Sequence, residues 1–363
     1  MPPVIAVHPA FKLNGLSFDS AEELLDFTVN LEQQGAAHEV SLSKFLQEWL
    51  NNDDFIVTTT SGSTGTPKAI RMPKSAMVYS ARKTGEALNL GPETEALLCL
   101  SSDYIAGKMM CVRALTLGWH LHVVAPSMEA LTEYDSEYDF VAMVPAQAMH
   151  SLAALDKVGT LLIGGGVVST QLEEALQSVE TAAYVSYGMT ETVSHIALRR
   201  INGEQASAYY KALPEVTLSL DSRGCLVINA PGIAADPVIT NDLVEFKDES
   251  QFKWLGRIDN VINSGGIKIY PEQIEAALED QLDVPFFIAA EPDPVLGERV
   301  VLVVESPTSD GRASGVHKGL FDSLPKYSRP KKIYGVSKFR YTETGKIRRK
   351  EVLSLIESYP KKK

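Results

Sequence analysis

The chain has 363 residues, of which 45% are hydrophobic and 22% charged, and its formal net charge is −12. That length exceeds one ordinary core, so two domains are expected, and the composition is that of a globular protein. No apolar run is long enough to cross a bilayer, and the start, Met-Pro-Pro-Val-Ile-Ala, lacks a signal pattern; a cytoplasmic protein without membrane insertion is expected. The charge is uneven: residues 326–363 carry 13 basic and 3 acidic side chains, net +10, which leaves −22 for the rest. An acidic body argues against nucleic-acid binding, while the basic end is either a solvated tail or a contact for a polyanionic ligand. Cys99, Cys111 and Cys225 share no ligand spacing, so neither a disulfide frame nor a zinc site is expected.

The first fifty residues predict a helical layer. Ser20-Ala-Glu-Glu23 has the capping-box pattern, followed by Leu24, Leu25, Phe27 and Leu31 at helical spacing; a second amphipathic run carries Phe45, Leu46, Trp49 and Leu50. Phe55–Thr60 reads as a strand and runs into Ser61-Gly62-Ser63-Thr64-Gly65-Thr66-Pro67-Lys68. Glycines that let the backbone curl, hydroxyl donors and a terminal cation suit the oxygens of a polyphosphate. It is not a Walker loop, because Pro67 and Ala69 break that pattern and Ala69-Ile-Arg-Met reads as extended rather than helical.

Short apolar strands then alternate with helical stretches. Strands are predicted at 96–100, 121–125, 140–144, 161–163 and 183–185, and helices at 73–90, 106–117, 146–155 and 171–179. Such alternation argues for parallel sheets covered by helices, with ligands at the carboxyl ends of the strands. Two strand ends carry signals. Gly164-Gly165-Gly166 lets a flat ring or a phosphate approach the main chain, or is simply a tight turn. Tyr187-Gly188-Met-Thr190-Glu191 offers an aromatic, a bend, a hydroxyl and a carboxylate suited to Mg²⁺. Asp242, read as lying near a strand start, could hold ribose hydroxyls or be a turn residue.

Residues 256–271, Gly-Arg-Ile-Asp-Asn-Val-Ile-Asn-Ser-Gly-Gly-Ile-Lys-Ile-Tyr-Pro, combine a charge pair with few bulky side chains, as a hinge requires. Pro271 sits at a first helical position, and the remainder reads as a compact α+β module with strands near 286–290 and 299–305. Lys346, after a glycine in a basic loop, has reach for catalysis or is merely solvated.

Taken in this order, the motifs resemble the adenylate-forming superfamily of acyl-CoA synthetases, peptide-synthetase adenylation domains and luciferases, over about residues 55 to 350. The resemblance implies an α/β fold: a large N-terminal domain of parallel-rich sheets layered with helices (1–256), a hinge (257–260), and a small mobile α+β C-terminal cap (261–363). It implies that Ser61–Lys68 grips the ATP phosphates, that Gly164–Gly166, Tyr187 and Gly188 flank adenine, and that Thr190 contacts phosphate. Glu191 would bind Mg²⁺, Asp242 and Arg257 would hold ribose, Asp259 would be the pivot and Lys346 the catalytic lysine. Coenzyme A would meet the Ser264-Gly265-Gly266 face.

Within the superfamily, three stretches resemble the o-succinylbenzoate–CoA ligases of menaquinone synthesis: 256–266, Val144-Pro-Ala-Gln147 and Ile105-Ala-Gly-Lys-Met-Met-Cys-Val-Arg113. This implies an AMP-forming acid–thiol ligase acting on an aromatic dicarboxylate. Arg113 would hold the remote carboxylate, unless it is a helix arginine paired to a surface acid; Lys108 is a second candidate. Tyr104, Ala106 and His195 are further candidates for the acid site, and a satisfied polar histidine is an equal reading of His195. Tyr104-Ile-Ala-Gly107 stands where the family has His-x-x-Gly. The chain is short at its amino-terminal side, so one wall of that site could be thinner or completed by a second subunit. Another acyl- or aryl-CoA ligase of the same fold, and a non-catalytic ATP-binding module, are the competing functions.

Overall fold

The computed structural model describes residues 7–59, 69–131, 136–306, 316–317, 319–342 and 347–356. Two short strands, β1 (Lys12–Leu13) and β2 (Leu16–Ser17), precede helices α1 (Ala21–Gln34) and α2 (Ala37–Leu50). Ser20 caps α1 by accepting a hydrogen bond from the Glu23 amide, as its sequence pattern predicts. Strands β3 (Phe55–Thr59) and β4 (Ala69–Pro73) form a separate antiparallel hairpin. The strand after Lys68 agrees with rejection of a Walker loop, which requires a helix there.

Next come α3 (Lys74–Leu88), β5 (Glu95–Leu98), α4 (Ile105–Leu117), β6 (His120–Val123), β7 (Tyr138–Met143), α5 (Pro145–His150) and β8 (Val158–Ile163). They are followed by α6 (Thr170–Ala175), β9 (Ala182–Gly188) and β10 (His195–Arg200). The helices expected at 146–155 and 171–179 each shorten and continue as 3-10 turns, Leu152–Lys157 and Leu176–Ser178. Strands β11 (Tyr210–Ala212), β12 (Thr217–Leu220), β13 (Cys225–Asn229), β14 (Val238–Phe246) and β15 (Gln251–Arg257) complete the large sheet.

Its order is β12-β13-β14-β15-β11-β10-β9-β8-β7-β5-β6-β1-β2. The pairings β9·β8, β8·β7, β7·β5, β5·β6 and β6·β1 are parallel, and β10 to β15 add an antiparallel wing. The α/β alternation thus predicts the parallel half, whereas the wing is strand after strand without helices. The chain leaves β5 for β6 on one side and returns to β7 on the other, the reversal at which open α/β sheets hold ligands.

A 3-10 turn, Ile258–Asn260, leads to a second sheet. It contains β16 (Ile262–Ser264), β17 (Ile267–Ile269), β18 (Phe286–Asp293), β19 (Gly297–Glu305) and β20 (Lys332–Val336), flanked by α7 (Pro271–Leu278) and α8 (Arg349–Ser354). The apolar cores divide in the same way. Two buried clusters, around Phe140 with Trp119 and around Val141 with Leu161, belong to the first sheet. Two others, around Leu302 with Ile274 and around Val303 with Phe339, belong to the second.

Candidate active site

The parallel register pairs Ile163 with Val185, so Gly164–Gly166 emerges beside Ser186–Gly188 at adjacent strand ends. The Gly164 amide donates to the Met143 carbonyl, 3.0 Å, and a Cβ on Gly164 would sit 2.7 Å from Ser186 Oγ. Gly165 has φ +80°, which favours glycine. Both Gly165 and Gly166 are exposed, and the three form a bare shelf at the carboxyl edge of the sheet.

Tyr187 donates from its phenol to Asp242 Oδ2, 2.6 Å, and its ring meets Phe252 edge-on at 5.1 Å. Burial, with the charge of Asp242, drives that phenol far above its ordinary range, so it stays a donor. Asp242 is buried in the middle of β14 rather than near a strand start, which corrects the sequence expectation. A single aspartate between Asn and Leu reads as a turn residue; the flanking ladder holds it in the strand. Its register partner is Arg257, whose guanidinium donates to Asp259 Oδ2, 3.1 Å. Asn241 donates to the same Asp259 oxygen at 3.0 Å and is itself held by Arg223 Nη1 at 2.9 Å. Tyr187, Asp242, Arg257 and Asp259 are therefore brought together, although they span 73 residues of sequence.

After β9 the chain makes a 3-10 turn, Thr190–Thr192, and then an abrupt reversal at Val193, with φ 64° and ψ −54°. The Ser194 amide donates to the Thr192 carbonyl at 2.6 Å, which closes a γ-turn, a strained conformation for a β-branched residue. Gly188 has a packing reason: a Cβ there would collide with the Ser194 carbonyl and the His195 Cα. Thr190 is half-buried, and Glu191 stands exposed on the turn with no ion-pair partner among the described residues. No group of three or more His, Cys, Asp or Glu among the described residues could hold a metal by itself. An exposed carboxylate just after the strand end fits Mg²⁺, which keeps waters and takes ligand phosphate oxygens alongside one or two protein carboxylates.

Behind this turn, Arg113 on α4 is 2% exposed. Its Nε donates to Thr84 Oγ1, 3.3 Å, and its Nη2 to Ser194 Oγ, 2.8 Å. Thr84 in turn donates to the Ser80 carbonyl, 3.1 Å. The proton count then leaves one arrangement for His195: Nε2–H donates to Thr84, 3.2 Å, and Nδ1 accepts from Ser194, 3.4 Å. Burial and the adjacent Arg113 hold His195 well below the usual imidazole range, consistent with that neutral tautomer. Burial lowers Arg113 only to about 10, so it is charged at neutral pH. The guanidinium is thus a buried cation whose partners are all neutral, and it faces no acid among the described residues.

This excludes the surface-pair reading of Arg113. Lys108, five residues earlier, lies roughly 140° around the helix, pairs with Glu48 at 3.6 Å and covers the Phe45 ring. Its charge is committed to α2, away from Arg113. Tyr104 and Ala106 are exposed at the start of α4, about two turns from Arg113. Gly107 is a packing glycine, because a Cβ would strike the Ser101 backbone. Thr84 carries no sequence signal of its own; it is an ordinary position in an amphipathic helix until α3 meets α4.

Gly265 and Gly266 form the two-residue turn between β16 and β17, Ser264 facing Ile267, with φ 58° and 83°. Two successive positive φ values are those of a type I′ hairpin turn, so turn chemistry accounts for both glycines. Ser264 is buried, while a Cβ on Gly266 would meet nothing within 4 Å. Ser61, Gly62, Ser63, Thr64, Gly65, Thr66 and Lys68 lie outside the described residues, as does Lys346. Their flanks are described: Thr59 pairs with Ala69, and Tyr341 bridges Ile347, so the ends of both segments are drawn together.

The glycine shelf, the tyrosine–aspartate pair and the exposed carboxylate of Glu191 thus stand at the carboxyl ends of β8 and β9 in an α/β fold with a parallel half-sheet. Residues 12–231 match the family profile described as AMP-binding enzyme, more than half the chain, and the protein belongs to that family of adenylate-forming acid–CoA ligases. The 2-succinylbenzoate–CoA ligase of Staphylococcus epidermidis strain RP62A is 26% identical over 349 residues, 87% of this chain and 72% of that one. The probable 2-succinylbenzoate–CoA ligase of Mycobacterium tuberculosis H37Rv is 29% identical over 288 residues, 71% of this chain and 72% of that one.

Among solved structures, an acyl-CoA synthetase (AMP-forming)/AMP-acid ligase II-like protein of Dyadobacter fermentans is 38% identical with a TM-score of 0.61. The match covers 92% of this chain and 98% of that one. The o-succinylbenzoate coenzyme A synthetase MenE of Bacillus subtilis, in complex with ATP and magnesium ion, shares the fold with a TM-score of 0.67 at 20% identity. That match covers 82% of this chain and 69% of that one. No described helix is long and apolar enough to cross a membrane.

Proposed function

We propose that the protein activates a dicarboxylic aryl acid with ATP and passes the acyl group to coenzyme A, with o-succinylbenzoate as the acid. The observation that carries this reading is Arg113: a buried guanidinium with only neutral hydroxyl partners, N–H groups to spare and a charge that persists at neutral pH. A charge without a counter-ion is costly to bury. A substrate that brings its own carboxylate supplies the missing partner, and the guanidinium fork can bind it bidentately. The relatives named for 2-succinylbenzoate act on an acid with two carboxylates, consistent with that chemistry.

In the first half-reaction a carboxylate oxygen attacks the α-phosphorus of ATP, pyrophosphate leaves, and an acyl-adenylate forms. Tyr187 spends its one proton on Asp242 and orients that carboxylate, which would accept from the ribose hydroxyls, and the Gly164–Gly166 shelf would let a flat base lie on the backbone. Ser61–Lys68 would hold the phosphates and Lys346 would meet the charge developing at the α-phosphorus. Glu191 would hold Mg²⁺, which when bound neutralises phosphate charge. Residues 261–363 would act as a cap turning about Asp259. In the second half-reaction the coenzyme A thiolate attacks the acyl carbonyl, the thioester forms and AMP leaves.

A second reading keeps the chemistry and changes the acid, and Tyr104 favours it, because an exposed phenol stands where the family has an imidazole. The test is mass spectrometry of products from ATP, coenzyme A and a panel of mono- and dicarboxylic acids. o-Succinylbenzoyl-CoA with AMP is expected; turnover of monocarboxylates alone would remove the dicarboxylate assignment. ATP binding without consumption of any acid would leave a nucleotide-binding module instead.

A further inference from the structure

Helix α7 connects the second sheet to the first through an acidic residue at each end. At its first turn, Glu272 accepts from Asn260 Nδ2 through Oε1, 2.6 Å, while Oε2 is buried with no hydrogen-bond partner among the described residues. That carboxylate rests against Gly256, the penultimate residue of β15, where a Cβ would approach Oε2 to 2.5 Å. Gly256 has φ +146°, so its backbone and its missing side chain both make the seat. Just beyond the other end of α7, Asp280 accepts from the Gln171 amide, 3.1 Å, in the first turn of α6. Helix α6 directly follows the glycine shelf.

We propose that Glu272 and Asp280 are a two-point latch that docks the cap on the body in one orientation and so sets the balance between the two half-reactions. This rests on the rotating-cap reading above. A satisfied carboxylate would anchor the cap, whereas one buried with an oxygen unpartnered holds position and releases readily. The second point is loaded in the same sense. Glu279 is raised by burial and by the charges of Asp280 and Glu275, so the acids at this end of α7 crowd one another. Glu275 is partly relieved by Arg349, 2.7 Å away. Neither Glu272 nor Asp280 itself pairs with a basic side chain among the described residues. At these two points, docking uses the Gly256 seat and one amide rather than an ion pair. Because Gln171 lies five residues after Gly166, occupancy of the shelf and grip on Asp280 share one short segment.

Spin labels placed at Glu204→Cys on the body and Lys338→Cys on the cap, both exposed while the native cysteines are buried, report the distance between the two units. A dominant distance is expected in the parent protein and a broadened or second population in the Glu272→Ala, Asp280→Ala double variant. Glu272→Gln keeps the acceptor for Asn260 and should restore most of the parent distribution. The ratio of pyrophosphate exchange to thioester formation from supplied acyl-adenylate should shift at least threefold in the double variant. An unchanged distance distribution, or an equal fall in both half-reactions, would overturn the latch. If the parent enzyme activates no acid, the proposed function fails, and the distance measurement still decides the latch by itself.

Discussion

Arg113 and His195 show how one buried cluster divides its labour. The guanidinium keeps its charge, and the imidazole beside it gives up the ability to take one. Removing the cation should cost the interaction with the remote carboxylate. A charge-assisted hydrogen bond is worth about 1.5–3 kcal/mol, so Arg113→Leu should raise KM for a dicarboxylate roughly 10- to 100-fold while KM for ATP stays within about twofold. Steady-state kinetics with each substrate varied checks it, and parallel rises in both would place Arg113 outside the acid site. His195 predicts a pH effect with a definite sign. The unfolded imidazole binds a proton below about 6.5, and the folded one, buried next to Arg113, does not. Stability is therefore fully present above that pH and falls as pH drops through it, by up to about 1.4 kcal/mol per unit for one proton. Thermal unfolding from pH 8 to 5 should show the loss, and His195→Gln, which keeps polar atoms without a titration, should flatten it.

At the scale of elements, the β16–β17 hairpin separates two reasons for the same pair of glycines. A side chain at Gly266 meets open space, so Gly266→Ala should cost only the positive-φ strain, about 1–2 kcal/mol, visible as a modest fall in melting temperature. If the turn also lets the pantetheine arm pass, the variant should slow thioester formation from supplied acyl-adenylate and leave adenylation unchanged. Unaltered thioester formation would reduce Gly266 to turn chemistry. Helix α4 teaches the complementary point. Lys108 and Arg113 are both cations on one helix, and only the angle between them sends one to Glu48 and the other to a buried cluster of hydroxyls.

For the molecule as a whole, the two sheets with their own cores, joined through Ile258–Asn260, suit a body and a cap that change orientation. Lys346→Ala should abolish acyl-adenylate formation yet preserve thioester formation from acyl-adenylate supplied directly. Half-reaction assays check this, and equal damage to both steps would contradict a cap that withdraws its lysine.

Much of this architecture is local, and local features are written along the chain. The apolar strands, the capped helices, the glycine triplet and the Tyr187–Glu191 segment depend on neighbours a few residues away, so periodicity and turn chemistry suffice to find them. The antiparallel wing, the mid-strand place of Asp242 and the partners of Arg113 depend on pairings across the fold. Thr84 lies 29 residues from Arg113, and Ser194 lies 81 residues away. The sequence alone determined which chemical groups were present and in what order. Only tertiary packing decided which charges are paired inside the protein and which are left without a counter-ion among the described residues, because a side chain's counter-ion is chosen by proximity in space.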